Sequence, residues 1–198
     1  MIKDRNIDYR YSRQWIPASS FNTFVGASGA SVAGGTAVTT LPTLTQLGSL
    51  GTVGALFADP NDLLRLTMPT PHAWDLDNDI FFRVLWSDGG TTTGSVTWKV
   101  LWKTFQFQTA PSIATETLAR PIEAQADTAT ADIVNATTWG KLGASSMDIN
   151  TAFLVLDVEM DADAGNINPI MIGLEVAYLP KLTDGTQNND NAAPADAN

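Results

Sequence analysis

Ser95-Val-Thr-Trp-Lys-Val-Leu-Trp-Lys-Thr-Phe-Gln-Phe-Gln108 alternates side chains with a period of two. Val96, Trp98, Val100 and Trp102 fall on one face, and Thr97, Lys99, Leu101 and Lys103 on the other, as in a strand laid on a core. Upstream, Asp79-Ile-Phe-Phe-Arg-Val-Leu-Trp86 is rich in branched and aromatic residues, and the Gly/Thr-rich stretch 87–94 between the two runs reads as a turn. Together they predict a hairpin. Farther on, Leu154, Leu156, Val158 and Met160 alternate with Asp157, Glu159 and Asp161. After a turn at 163–166, Ile170, Ile172, Leu174, Val176 and Tyr178 fall on one side of the run 169–179, which predicts a second hairpin.

Leu63–Met68 is a shorter strand candidate, closed by Pro69 and Pro71. Between the hairpins the pattern is mixed, with one helical turn expected over 112–119, a loop or edge strand over 127–136 and a strand over 139–149. Short strands, long irregular connections and no amphipathic helix point to an all-β antiparallel β-sandwich, with a jelly roll as its natural eight-strand form.

Before these strands lie two unlike segments. Residues 1–25 carry Lys3, Arg5, Arg10 and Arg13 among Tyr9, Tyr11, Trp15, Phe21 and Phe24. Beyond Arg13 the chain holds seven basic residues against nineteen acidic ones. Such a stretch reads as an extended N-terminal docking arm, with Arg5, Tyr9, Arg10, Tyr11, Arg13, Trp15, Phe21 and Phe24 as its contact residues. Residues 26–54 have no charge and are rich in glycine and threonine, so 26–61 is expected to be extended and laid against other surfaces. The sandwich is then expected over 62–182, with a disordered polar tail over 183–198.

Composition narrows the function. A formal net charge of −10 over 198 residues opposes nucleic acid as a partner, since phosphate contacts need a basic surface. Cysteine is absent, which removes disulfides, thiolate metal sites and thiol catalysis. The N-terminus does not read as a secretory signal, and no stretch approaches the roughly 20 apolar residues of a membrane-spanning helix.

No catalytic constellation emerges, and neither an enzyme nor a cofactor is expected. His72 is the single histidine, has no nucleophile elbow near it in sequence and reads as a loop residue. Asp75, Asp77 and Asp79 have a spacing that could gather calcium, but Ile80 and Trp86 stand where an EF-hand loop needs glycine and glutamate. They read instead as a solvated strand entry, so no metal site is assigned. Asp157, Glu159, Asp161 and Asp163 form a ladder that could serve glycoside hydrolysis, an ion or a basic arm, but reads first as the wet face of a half-buried sheet. Trp74, Trp86, Trp98, Trp102 and Trp139 suggest sugar stacking as one use and sandwich core as the other.

The opening Arg5-Asn-Ile-Asp-Tyr-Arg-Tyr-Ser-Arg-Gln-Trp-Ile-Pro17 resembles small structural proteins of tailed bacteriophages, cyanophages among them. The Gly/Thr-rich stretch, the run 81–86 with 96–103, and the closing Ile172-Gly-Leu-Glu-Val-Ala-Tyr-Leu-Pro180 are similar as well. The resemblance implies a virion component, foremost a capsid decoration (cement) protein that binds and stabilises the major capsid protein shell. It also implies a homotrimer, assembled in the host cytoplasm, without small-molecule ligand or membrane. The alternative is a receptor- or carbohydrate-binding module of a head fibre or tail, using tryptophans such as Trp74 or Trp139.

Overall fold

A computed structural model of the chain describes residues 11–23, 42–47, 51–60, 62–71, 74–75, 77–88, 94–106, 120–126, 133–143, 151–165 and 167–180. The described residues form twelve strands: β1 (Ser12–Pro17), β2 (Asn22–Thr23), β3 (Thr43–Leu47), β4 (Thr52–Leu56), β5 (Leu63–Pro69), β6 (Ile80–Ser87), β7 (Ser95–Gln106), β8 (Arg120–Ala126), β9 (Asn135–Ala136), β10 (Gly140–Leu142), β11 (Thr151–Ala164) and β12 (Ile170–Tyr178). A single 3-10 turn, Ala18–Ser20, joins β1 to β2.

The strands build two antiparallel sheets. In sheet A, β12 is central. It pairs with β6 on one side and with β4 and β1, end to end, on the other; β3 lies outside β4, and β9 and β10 lie outside β6. Sheet B runs β2-β5-β11-β7-β8. Take β4, β5, β6, β7, β8, the β9–β10 pair, β11 and β12 as first to eighth. Sheet A then reads 1-8-3-6 and sheet B 2-7-4-5, which is the jelly-roll order.

This order overturns both expected hairpins. β6 and β7 lie in different sheets, as do β11 and β12. Each of the four strands presents apolar side chains to the shared core, with Phe82, Val84 and Trp86 on β6 facing Trp98, Val100 and Trp102 on β7. Alternation reports the buried face of a strand but leaves its neighbour open. The short link after β11 is a turn between sheets. There Asp163 accepts the backbone N–H groups of Ile167 (2.9 Å) and Asn168 (3.0 Å), and Gly165 (φ 120°) and Asn168 (φ 50°) take left-handed conformations.

The expected division of the chain also shifts. β1 and β2, inside the proposed arm, belong to the sandwich, and Ile16, Ala18 and Phe21 are core residues. β3 and β4, inside the proposed extended segment, form a hairpin that adds to sheet A. Glycine and threonine conceal this pairing in the sequence. Gly54 is required there, because a Cβ would run into the Ile170 side chain and the carbonyl of Met171.

The core is aromatic. The Trp98 ring meets Phe57 edge-on (5.0 Å between centroids, 82°) and lies beside Trp86 (6.3 Å). The indole N–H groups of Trp86, Trp98 and Trp102 are buried without a hydrogen-bond acceptor. Each such group costs about 1–3 kcal/mol, which the large apolar area of the rings must outweigh. In β12 a bulge between Met171 and Gly173 resets the alternation. Met171, Leu174 and Val176 enter the core, whereas Ile170 and Ile172, expected beside Leu174, pack on the other side with Leu47 and Leu56.

Candidate docking surface

β1 lies along the edge of β12 over six residue pairs, from Ser12↔Tyr178 to Pro17↔Gly173. Residues directly opposite share a face, so Ile16 joins Leu174 in the core while Trp15 joins Glu175 outside. The Trp15 ring lies over Gly173. A Cβ added there would come within 2.5 Å of the ring and of the Ile16 carbonyl, so only glycine permits the seat. Trp15 is 45% exposed, while the other five tryptophans are buried.

Charge around this ring is closely managed. Glu175 receives two arginines, Arg83 Nε at 2.7 Å from β6 and Arg13 Nη1 at 3.1 Å from β1. The guanidinium of Arg83 also stacks on Trp139 at 4.6 Å, and that of Arg13 stands 5.9 Å from the same ring. Tyr11 packs edge-on against Phe81 (5.8 Å), closing a small cluster with Trp139 and Ala177. The outer face of sheet A thus presents one half-bare indole beside a neutralised carboxylate.

Of the expected arm residues, Tyr11, Arg13 and Trp15 come together here, and Phe21 is in the core. Arg5, Tyr9, Arg10 and Phe24 lie outside the described residues, as do His72 and the expected helical turn over 112–119. Trp74 and Trp139, the tryptophans named for sugar stacking, are buried; Trp74 donates to the Asn78 carbonyl at 2.8 Å.

The acidic groups are not where a wet face would put them. Asp157 is fully buried on the outer face of sheet B and takes a two-pronged contact from Arg65 (2.7 and 2.9 Å). Glu159, also buried, lies between Leu63 of β5 and Lys99 of β7. Its burial pushes its pKa upward; Lys99 opposes the shift, and Asp161 and Asp157 add to it. A bulge after Met160 breaks the ladder, so Asp161 contacts Lys99 while Asp163 turns to cap the inter-sheet turn. Asp75 is buried too, bound to Asn78 Nδ2 (2.8 Å) and to the N–H of Asp77 (3.3 Å), and Asp79 pairs with Lys141 (2.8 Å). Among the described residues no three metal-ligating side chains gather into one site.

No protein-family model matches the sequence, and no curated protein matches it. Several solved structures are similar in shape, and two serve as examples. One is a family 35 carbohydrate-binding module from Clostridium thermocellum, with TM-score 0.48 and 11% identity, covering 83% of this chain and 97% of that one. The other is the xylanase 10B CBM22-1–GH10 pair of modules from the same organism complexed with xylohexaose, with TM-score 0.39 and 15% identity, covering 79% of this chain and 27% of that one.

Proposed function

We propose that this chain is a non-catalytic structural protein of a virion, a capsid decoration protein that docks on the major capsid protein. The observation that carries the reading is the anchoring of the N-terminal stretch. β1 is hydrogen-bonded into sheet A, β2 into sheet B, and the turn between them puts Ala18 and Phe21 in the core. Lys3, Arg5, Tyr9 and Arg10 therefore lead into a segment, 12–23, fixed to both sheets, and its first strand, β1, carries the exposed Trp15. A basic, aromatic lead on an acidic body suits a contact that buries rings and pairs arginines with carboxylates of a shell. Repetition over a symmetric shell multiplies each weak contact.

The anchoring also decides where to cut. Deleting 1–24 would remove β1 and β2 and with them part of the core; deleting 1–10 leaves both strands in place. The test is co-sedimentation with shells of the major capsid protein encoded with this chain. The full chain pellets with the shells, and the chain lacking 1–10, still folded by circular dichroism, stays in the supernatant. Equal pelleting of both would end the arm's role, and no pelleting of either would end the decoration reading.

A second reading rests on Trp15 alone, since it is the one described tryptophan with a face free to stack on a sugar. A glycan array separates the two: hits lost on Trp15→Ala would favour a carbohydrate-binding module.

A further inference from the structure

At the β3 edge, sheet A extends past sheet B. Across from β3 and β4, sheet B ends in β2, which is two residues long. Leu44 sits opposite Ala55 and therefore faces the core side of the sheet, and Val53, two residues from Ala55, faces the same way. Ala55 is fully buried, but Leu44 is 54% exposed and Val53 46%. The apolar face of the sandwich thus runs out from under its cover.

Among the described residues nothing guards the edge itself. Among the described residues β3 pairs only with β4, so the far side of Thr43-Leu-Thr-Gln-Leu47 offers backbone donors and acceptors. Sheet edges are usually protected by charge, proline or a bulge. No charged residue occurs from Pro42 to Ala58. The other described edge strands longer than two residues each carry charge: Arg13 on β1, Arg120 and Glu123 on β8, Lys141 on β10.

We propose that β3 pairs with β3 of a second copy of this chain, antiparallel about a two-fold axis, joining two A sheets into one. Charge selects the occupant. A chain of net charge −10 repels its own copies wherever carboxylates face each other, and this edge is where they are absent. A basic partner would find nothing here to neutralise. The edge also complements itself. With the axis at Thr45, Leu44 meets Gln46 of the second copy and Thr43 meets its Leu47, so the strand pairs along its full length. Leu44 and Val53 of each copy then lie on one face, on both sides of the axis, and cover each other, as an isologous interface requires.

This inference is independent of the virion reading, because pairing is measured on the free protein. Sedimentation velocity of the full chain at micromolar concentration should give the mass of two copies. Leu44→Lys, at an exposed position, should raise the dissociation constant about tenfold or more while leaving the thermal transition of the fold in place. Val134→Lys, exposed on the opposite side of sheet A beyond β9, should leave the mass at two copies. A single-copy mass for the unmodified chain overturns the proposal. So does a three-copy mass, a pair indifferent to Leu44→Lys, or a pair lost equally with Val134→Lys.

Discussion

Strands β12 and β11 are the central strands of the two sheets, and each turns carboxylates to the outer face of its sheet. On β12, Glu175 is held by two arginines from the two flanking strands, and one of those arginines is itself stacked on Trp139. On β11, Asp157 is held by Arg65, while the Lys99 beside Glu159 makes its contact with Asp161. Sheet A therefore answers one acid with two bases, whereas on sheet B two bases, Arg65 and Lys99, serve the buried Asp157 and Glu159 and the neighbouring Asp161. A buried charge is tolerated only when its partners are in place, so the same strand pattern produces a robust face on one sheet and a fragile one on the other.

Removing Arg65 should have the largest effect. Arg65→Met leaves the fully buried Asp157 without its two-pronged partner and should cost about 3–5 kcal/mol, read from the midpoint of denaturant unfolding. Arg83→Met should cost less, about 1–3 kcal/mol, because Arg13 remains on Glu175. If the two losses are equal, the second arginine gives no cover and the contrast between the faces fails.

Glu159 gives a smaller effect of opposite sign. Its pKa is raised by burial in the folded chain, so folding favours the protonated acid. Below its unfolded value both states hold the proton and there is no penalty. As pH rises from the unfolded pKa through the folded one, only the unfolded state gains from ionising, and the penalty grows to its full size. Glu159→Gln should therefore raise the melting temperature at neutral pH, by about 2–4 °C per kcal/mol recovered, and leave it unchanged in acid below the usual glutamate range. An equal gain at both pH values would remove ionisation as the cause. Least of all should change with Trp15→Ala, whose ring is nearly half exposed: the melting temperature stays close to that of the parent while co-sedimentation with capsid shells weakens.

What could be read from the sequence follows the same division between a strand and its surroundings. The faces of β7 and β11 were legible residue by residue, because alternation is a local property: Val96, Trp98, Val100, Trp102 and Leu154, Leu156, Val158, Met160 are all core. Partners were not legible, since a short link can turn back within a sheet or cross between sheets, and both place an apolar row inward. The bulges at Ile172 and Asp161 shift the alternation by one residue without a glycine or proline at the shifted position to announce them. The acidic ladder read as a wet face because polarity marks the face turned from the core, and says nothing of whether that face is covered. In the N-terminal stretch the basic and aromatic residues are legible, but the anchorage of 12–23 in the two sheets is not. Its strand is short, and only Ile16 and Phe21 reveal that it is folded in.

The central claim is that this sandwich sits on a shell and holds it through residues 1–10, ahead of Tyr11 and β1. Electron cryomicroscopy of the decorated particle tests it most directly. The account predicts density for the jelly roll on the outer surface of the shell, with residues 1–10 continuing from Tyr11 into contact with the major capsid protein. Particles lacking that density, or a sandwich attached through sheet B with residues 1–10 touching nothing, would contradict it.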